Sequence, residues 1–145
     1  MPERETIERA REDAREGKSP STQAGEFVRE EIHHVREGKH GARSPQQAIA
    51  IGLSKARRAG VKLGAPKGKA SVRKKAKQDL KASKSPRRKT SRTRSRATSR
   101  ALKRESGKTA STQAVSRQAK RSSAKRGKRA RSAAAHKAAR TREAA

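Results

Sequence analysis

The chain has 145 residues, 38% of them charged and 28% hydrophobic, with Phe27 as its sole aromatic and a formal net charge of +29. Ordering a backbone costs roughly 1–2 kcal/mol per residue, so this composition excludes one ordinary domain over the whole length and permits at most one small buried cluster. With no cysteine, a disulfide framework and thiolate metal sites are excluded, and no apolar run reaches the length of a signal segment or a membrane span. A chain soluble in the cytoplasm is expected.

The charge is unevenly spread. Residues 1–63 carry 13 Lys/Arg against 10 Asp/Glu, whereas residues 64–145 carry 29 against 3. Self-repulsion on that scale predicts an open tail unless a polyanion neutralises it.

Residues 1–17 hold strong helix formers behind Pro2, with Glu5–Arg9 at ion-pairing spacing. Apolar support is limited to Ile7, Ala10 and Ala14, so a charged, solvated lead-in helix is expected rather than a packed one. Ser19-Pro20 then opens a helix, as N-cap and first residue. Ala24, Val28, Ile32 and Val35 share one face, flanked by Phe27, while Glu26, Arg29, Glu30 and His33 point elsewhere. Gly38 is the natural stop.

The connector GKHGAR leads to Ser44-Pro45-Gln46-Gln47, a capping box, and to a second helix with Ala48, Ile49, Gly52, Leu53 and Ala56 on its apolar stripe. Gly52 permits a close backbone approach, and Gly60-Val61 has the form of a Schellman cap. Gln47, Ser54 and Arg57 lie opposite the stripe. The predicted fold is all-α, a small antiparallel hairpin over residues 18–63 with core Ala24, Phe27, Val28, Ile32, Val35, Ile49, Leu53 and Ala56. Ile51, off the stripe, needs cover from the first helix or a second copy, which makes a homodimer through the hairpin a candidate.

Residues 64–100 lack apolar periodicity and read as a disordered basic linker. Residues 101–145 are richer in Ala, and segments 111–125 and 128–144 are expected to become helical once phosphates cancel their repulsion. Gly17-Lys18-Ser19-Pro20-Ser21-Thr22-Gln23-Ala24 recurs as Gly107-Lys108-Thr109-Ala110-Ser111-Thr112-Gln113-Ala114, each placing a helix start after Gly-Lys.

No catalytic constellation is present. Gly107-Lys108-Thr109 lacks the upstream glycine and the preceding strand of a phosphate loop. His33, His34, His40 and His136 show no spacing that sets two ligands and a carboxylate on one helix face, so no metal or cofactor is expected. Glu30 and Glu31 diverge, and an enzyme is not expected.

The cations are the strong signal. Lys84, Arg87, Arg88 and Lys89 are followed by Arg92, Arg94, Arg96 and Arg100, then by Lys120, Arg121, Lys125, Arg126, Lys128 and Arg129. Such density suits a phosphate ladder. Lys55, Arg57 and Arg58, late in their helix, suit phosphate anchoring better than base reading. The tail has no aromatic on which to stack bases, so duplex DNA is favoured over RNA as partner, with little sequence selectivity. An RNA- or ribosome-associated protein, and an adaptor whose tail localises it to nucleic acid, are the alternatives. Ser85 and Ser95 beside basic runs are candidate phosphorylation sites that would weaken binding.

Gln47–Gly60, QAIAIGLSKARRAG, within a longer similar stretch over about residues 18–63, resembles a bacterial family of small basic proteins known only as a domain of unknown function. The resemblance implies a bacterial source and carries no mechanism. Ser85-Pro86-Arg87-Arg88 is similar to the Ser-Pro-basic-basic turns of linker-histone tails, and the tail is similar in composition to bacterial histone-like proteins. Together these readings point to a nucleoid-associated protein.

Overall fold

A computed structural model describes residues 2–85 and 91–144. The described residues are helical, with no strand, and form two compact units, residues 1–110 and 111–145. The first holds α1 (Arg4–Arg15), α2 (Pro20–Arg36), α3 (Pro45–Arg58), α4 (Ala70–Ala82), α5 (Arg92–Arg104) and a 3-10 turn, Gly107–Ala110. The second holds α6 (Thr112–Lys125) and α7 (Gly127–Glu143).

The capping residues place α2 and α3 where the sequence expects them. The Ser19 and Ser44 hydroxyls accept from the backbone N–H groups of Thr22 and Gln47. Gln47 closes the cap by accepting from the Arg43 N–H at 2.7 Å, one residue before the box partner. Lys39 N–H reaches the His34 carbonyl and Val61 N–H the Ala56 carbonyl, the long bonds of Schellman caps, with Gly38 and Gly60 at φ 73° and 101°.

The two helices run antiparallel. Ala24 and Phe27, early in α2, cluster with Ala56 late in α3, whereas Val35 late in α2 clusters with Ala48 early in α3. Gly52 sits at the crossing, where an added Cβ would lie 2.7 Å from Val28 Cα and 2.9 Å from the Phe27 carbonyl oxygen. Of the predicted core, Ala24, Phe27, Val35 and Ala56 are fully buried; Val28, Ile32, Ile49 and Leu53 are half-buried.

Several expectations are corrected. α1 is packed rather than solvated: Ile7 and Ala10 join the Phe27 cluster and Thr6 is fully buried. Arg9 pairs with Glu26 at 2.9 Å, and the Glu3 N–H donates to Glu30 at 3.1 Å, so polar contacts supply what three apolar residues could not. Residues 70–82 and 92–100, expected as open linker, lie in α4 and in α5, which runs on to Arg104. α4 covers the face of α3 opposite α2, through Ala76 and Asp79. Ser54 and Arg58 both donate to Asp79, at 2.6 and 2.9 Å. α6 and α7 lie close to the predicted bounds but are helical in the protein itself. The two octapeptides differ structurally: Ser19 caps α2, whereas its counterpart Thr109 lies in the 3-10 turn and Ser111 caps α6.

Residues 102–110 clip the loop between α2 and α3. The Gly41 and Ala42 N–H groups donate to the carbonyls of Leu102 (2.9 Å) and Ser106 (3.3 Å). Thr109 Oγ1 donates to the Ala42 carbonyl and Arg36 Nε to that of Ala110, at 2.9 and 2.6 Å. A side chain at Gly41 would collide with the Glu105 carbonyl.

Two glycines of the hairpin separate packing from propensity. Gly52→Ala must push α2 and α3 apart and should cost about 1–3 kcal/mol. Gly25→Ala, in the same hairpin with nothing within 4 Å of the new methyl, should instead stabilise by about 0.5–1 kcal/mol. Urea unfolding followed by circular dichroism reads both signs.

Candidate nucleic-acid interface

Basic residues on α4 and α5 fall into stripes. At 100° per residue, Arg73, Lys74, Lys77 and Lys81 lie within about 100° of one another on α4, away from Ala76 and Asp79. Arg92, Arg96, Arg100, Lys103 and Arg104 lie within about 120° on α5, while Leu102 is half-buried on the other side. Arg94 falls outside that stripe. All nine stripe cations are exposed, and none is in an ion pair.

In the second unit, α6 turns Ala114, Val115, Gln118 and Ser122 inward to half-burial and leaves Arg117, Lys120, Arg121 and Lys125 exposed. α7 has no buried residue; Lys128, Arg129, Arg131, Lys137, Arg140 and Arg142 surround it on all sides. Arg126, between the helices, is also exposed. Among the described residues no ion pair involves a residue beyond Glu105. Lys84 is exposed after α4, whereas Arg87, Arg88 and Lys89 lie outside the described residues.

The predicted α3 anchors are placed differently. Lys55, with 19% of its side chain exposed, points between α2 and α3, with its Nζ 2.6 Å from Glu31 and 3.3 Å from Glu30. Arg57 is buried and Arg58 pairs with Asp79. Lys55 and Arg57 therefore belong to the internal packing of the first unit, whereas Arg58 stays exposed while paired with Asp79. Face assignment failed here because α3 has two covered faces, and the sequence showed only one. The stripe at 73, 77 and 81 was missed, although its i, i+4 spacing is readable.

A second constellation also escaped the sequence reading. Glu30 and Glu31, expected to diverge, are both buried and share Lys55. Glu31 and His34 follow one another at i, i+3 on α2, and His40 comes in from the loop, its Nε2 3.2 Å from Glu31 Oε1. Hydrogen bonds from His34 and Lys39 hold the Glu3 carboxyl below its usual range. A search for two histidines on one helix overlooks a histidine supplied by a loop.

Described helices include none long and apolar enough to cross a membrane. No family model, curated protein or solved structure matches the chain, so the likeness noted at Gln47–Gly60 contributes nothing to the functional argument.

Asp79 ties α4 to α3. Burial pushes its carboxyl up, but hydrogen bonds from Lys75, Ser54 and Arg58 outweigh that and hold it below the ordinary value. Its contribution is therefore complete above the ordinary aspartate value of about 3.9 and is lost as pH falls through the lowered one. Asp79→Asn should cost about 1–3 kcal/mol at neutral pH and flatten the acid limb of the stability curve. Hydrogen exchange should speed up in α4 before α2; unchanged α4 protection would refute the assignment.

Proposed function

We propose that the chain binds duplex nucleic acid through phosphate contacts with little sequence selectivity, as a nucleoid-associated protein binding DNA. The observation that carries this reading is the set of exposed, unpaired cations on α4 to α7. Ten of the thirteen acids are paired within the first unit, so few remain to neutralise the stripes. A net charge of +29 also far exceeds the magnitude of about 2–8 that solubility asks of a small domain.

Rigid helices alter what the cations gain from binding. A disordered tail loses chain entropy when phosphates order it; a stripe already set on a helix loses mainly side-chain freedom. The α5 stripe spans twelve residue steps, from Arg92 to Arg104, about 18 Å, long enough to follow several phosphates of one strand. Recognition of single strands by stacking has no support in these helices, which hold no aromatic residue. Duplex geometry, read through its backbone, is what such stripes match.

Fluorescence anisotropy on equal-length duplex DNA and structured RNA across a salt series tests the reading. Engagement of eight phosphates gives a log–log slope of about −7. The exposed triple variant Arg92→Gln/Arg96→Gln/Arg100→Gln should make that slope shallower by about 2.7 while leaving the helical signal of the first unit intact. A salt-insensitive affinity, or a slope that ignores the variant, would remove α5 from the interface. Salt-resistant preference for RNA would replace DNA by RNA as the partner.

A further inference from the structure

We propose that Glu31, His34 and His40 form a binding site for a divalent transition-metal ion of the zinc type, independent of nucleic-acid binding. Each offers one ligand atom, and the three atoms lie within 4.8 Å of one another. Zn–N and Zn–O bonds of about 2.0–2.2 Å in a tetrahedron put ligand atoms roughly 3.3–3.5 Å apart. The His40–Glu31 edge, at 3.2 Å, already has this length. The remaining edges are at most 4.8 Å, so a bound ion would draw the His34 ring inward.

Hydrogen bonding around the rings sets them up as ligands. His40 Nδ1 is 3.1 Å from the Gly41 carbonyl, which can only accept, so Nδ1 carries the proton and Nε2 turns its lone pair toward Glu31. His34 Nε2 is 2.9 Å from the Glu3 carboxylate, so Nε2–H is the donor and Nδ1 keeps the free lone pair. A carboxylate or carbonyl on the far nitrogen is the usual outer support of a metal-bound imidazole. Here each ring has one.

Glu31 supplies the independent sign that something is missing. Only 1% of it is exposed, and neither carboxylate oxygen accepts a hydrogen bond of proper geometry. Lys55 approaches Oε2 to 2.6 Å as a charge, which leaves Oε1 facing the His40 lone pair. Two acceptors face one another across 3.2 Å, an arrangement a cation between them would complete. Glu3, Glu30, Glu31 and Glu37 against Lys39 and Lys55 leave two surplus negative charges around the rings. Two imidazoles and a carboxylate suit zinc and its neighbours better than calcium or magnesium, which take oxygen ligands.

Glu31 and His34 lie on α2, and His40 lies in the α2–α3 loop, next to the Gly41 N–H that donates to Leu102. Bound metal would fasten that loop to α2, and the fourth coordination position would go to water. Binding of this kind stabilises the folded state by mass action.

The test uses the full chain without a histidine tag, stripped of metal, titrated with Zn²⁺ by calorimetry and with Co²⁺ by visible absorption. One saturable equivalent with a four-coordinate Co²⁺ spectrum is expected. His40→Ala, on the loop, should weaken Zn²⁺ at least about 10-fold, since loss of a ligand costs no less than loss of its outer support. His33→Ala and His136→Ala, outside the cluster, should bind as the parent does. Glu31→Gln risks misfolding beside Lys55, so circular dichroism of each variant accompanies the titration, and His40→Ala decides. No saturable binding, or binding untouched by His40→Ala, or equally weakened by His33→Ala, overturns the proposal.

Discussion

Close contact between helical backbones at Gly52 is the constraint on which the rest of the first unit depends. A chain with one aromatic cannot fill wide spaces between helices, so it narrows them. Seven of the ten buried hydrophobic residues are alanines, and cores of small side chains gain through proximity what they lack in volume. At Gly52 the separation is set by backbone against backbone. From there Ala48 and Ala56, one turn to either side, meet Val35 and Ala24. The same spacing brings Lys55 within reach of both Glu30 and Glu31, so the buried charges are a consequence of the close crossing as much as a support for it.

Those charges explain a composition that looks unfit for folding. A buried carboxylate without a partner is strongly destabilising, yet two lie between α2 and α3. Lys55 answers both, with histidines completing the surround. Nine of the eleven acids of residues 1–79 thus serve as counter-ions within the first unit. Lys55 in the packing is matched; bases on α4 through α7 are mostly not. The net charge of the chain is therefore concentrated on surfaces that fold without needing it neutralised.

Capping and hydrophobic period made the hairpin legible in the sequence, because Ser-Pro starts, Gly stops and apolar stripes act locally. α1 was under-read, since its attachment uses Thr6, Arg9 and the Glu3 backbone, none of which enters an apolar count. α4 was missed because its buried face centres on Asp79, an acid that is meaningful only beside Ser54 and Arg58, 21 to 25 residues away. Absence of apolar periodicity and high net charge make α5 to α7 read as open in the absence of phosphate; their Ala, Arg, Lys and Gln content is strongly helix-forming, and like charges around a helix cost only tenths of a kcal/mol per pair. For the candidate interface, the exposed tail cations were readable as a class. Lys55, Arg57 and Arg58 were not, because which face of α3 meets solvent is decided by α2 and α4 together.

The loop from Glu37 to Ser44 gathers these features into one segment. Lys39 spans Glu3 and Glu37, His40 faces Glu31, and Gly41 and Ala42 hold Leu102 and Ser106. Backbone bonds to residues 102–106 require Gly41, with no side chain, in its observed place. That place in turn depends on how Lys39 and His40 engage the acids of α1 and α2. The C-terminal end of the α5 stripe is therefore anchored, within the first unit, by backbone bonds to a loop whose Ala42 is buried with Val35, Ala48 and Ala110. Only the exposed Lys39 contacts of that loop are of the kind that ions screen. The hold on α5 thus rests mainly on bonds that ionic strength leaves alone, whereas any hold on phosphate weakens as salt rises.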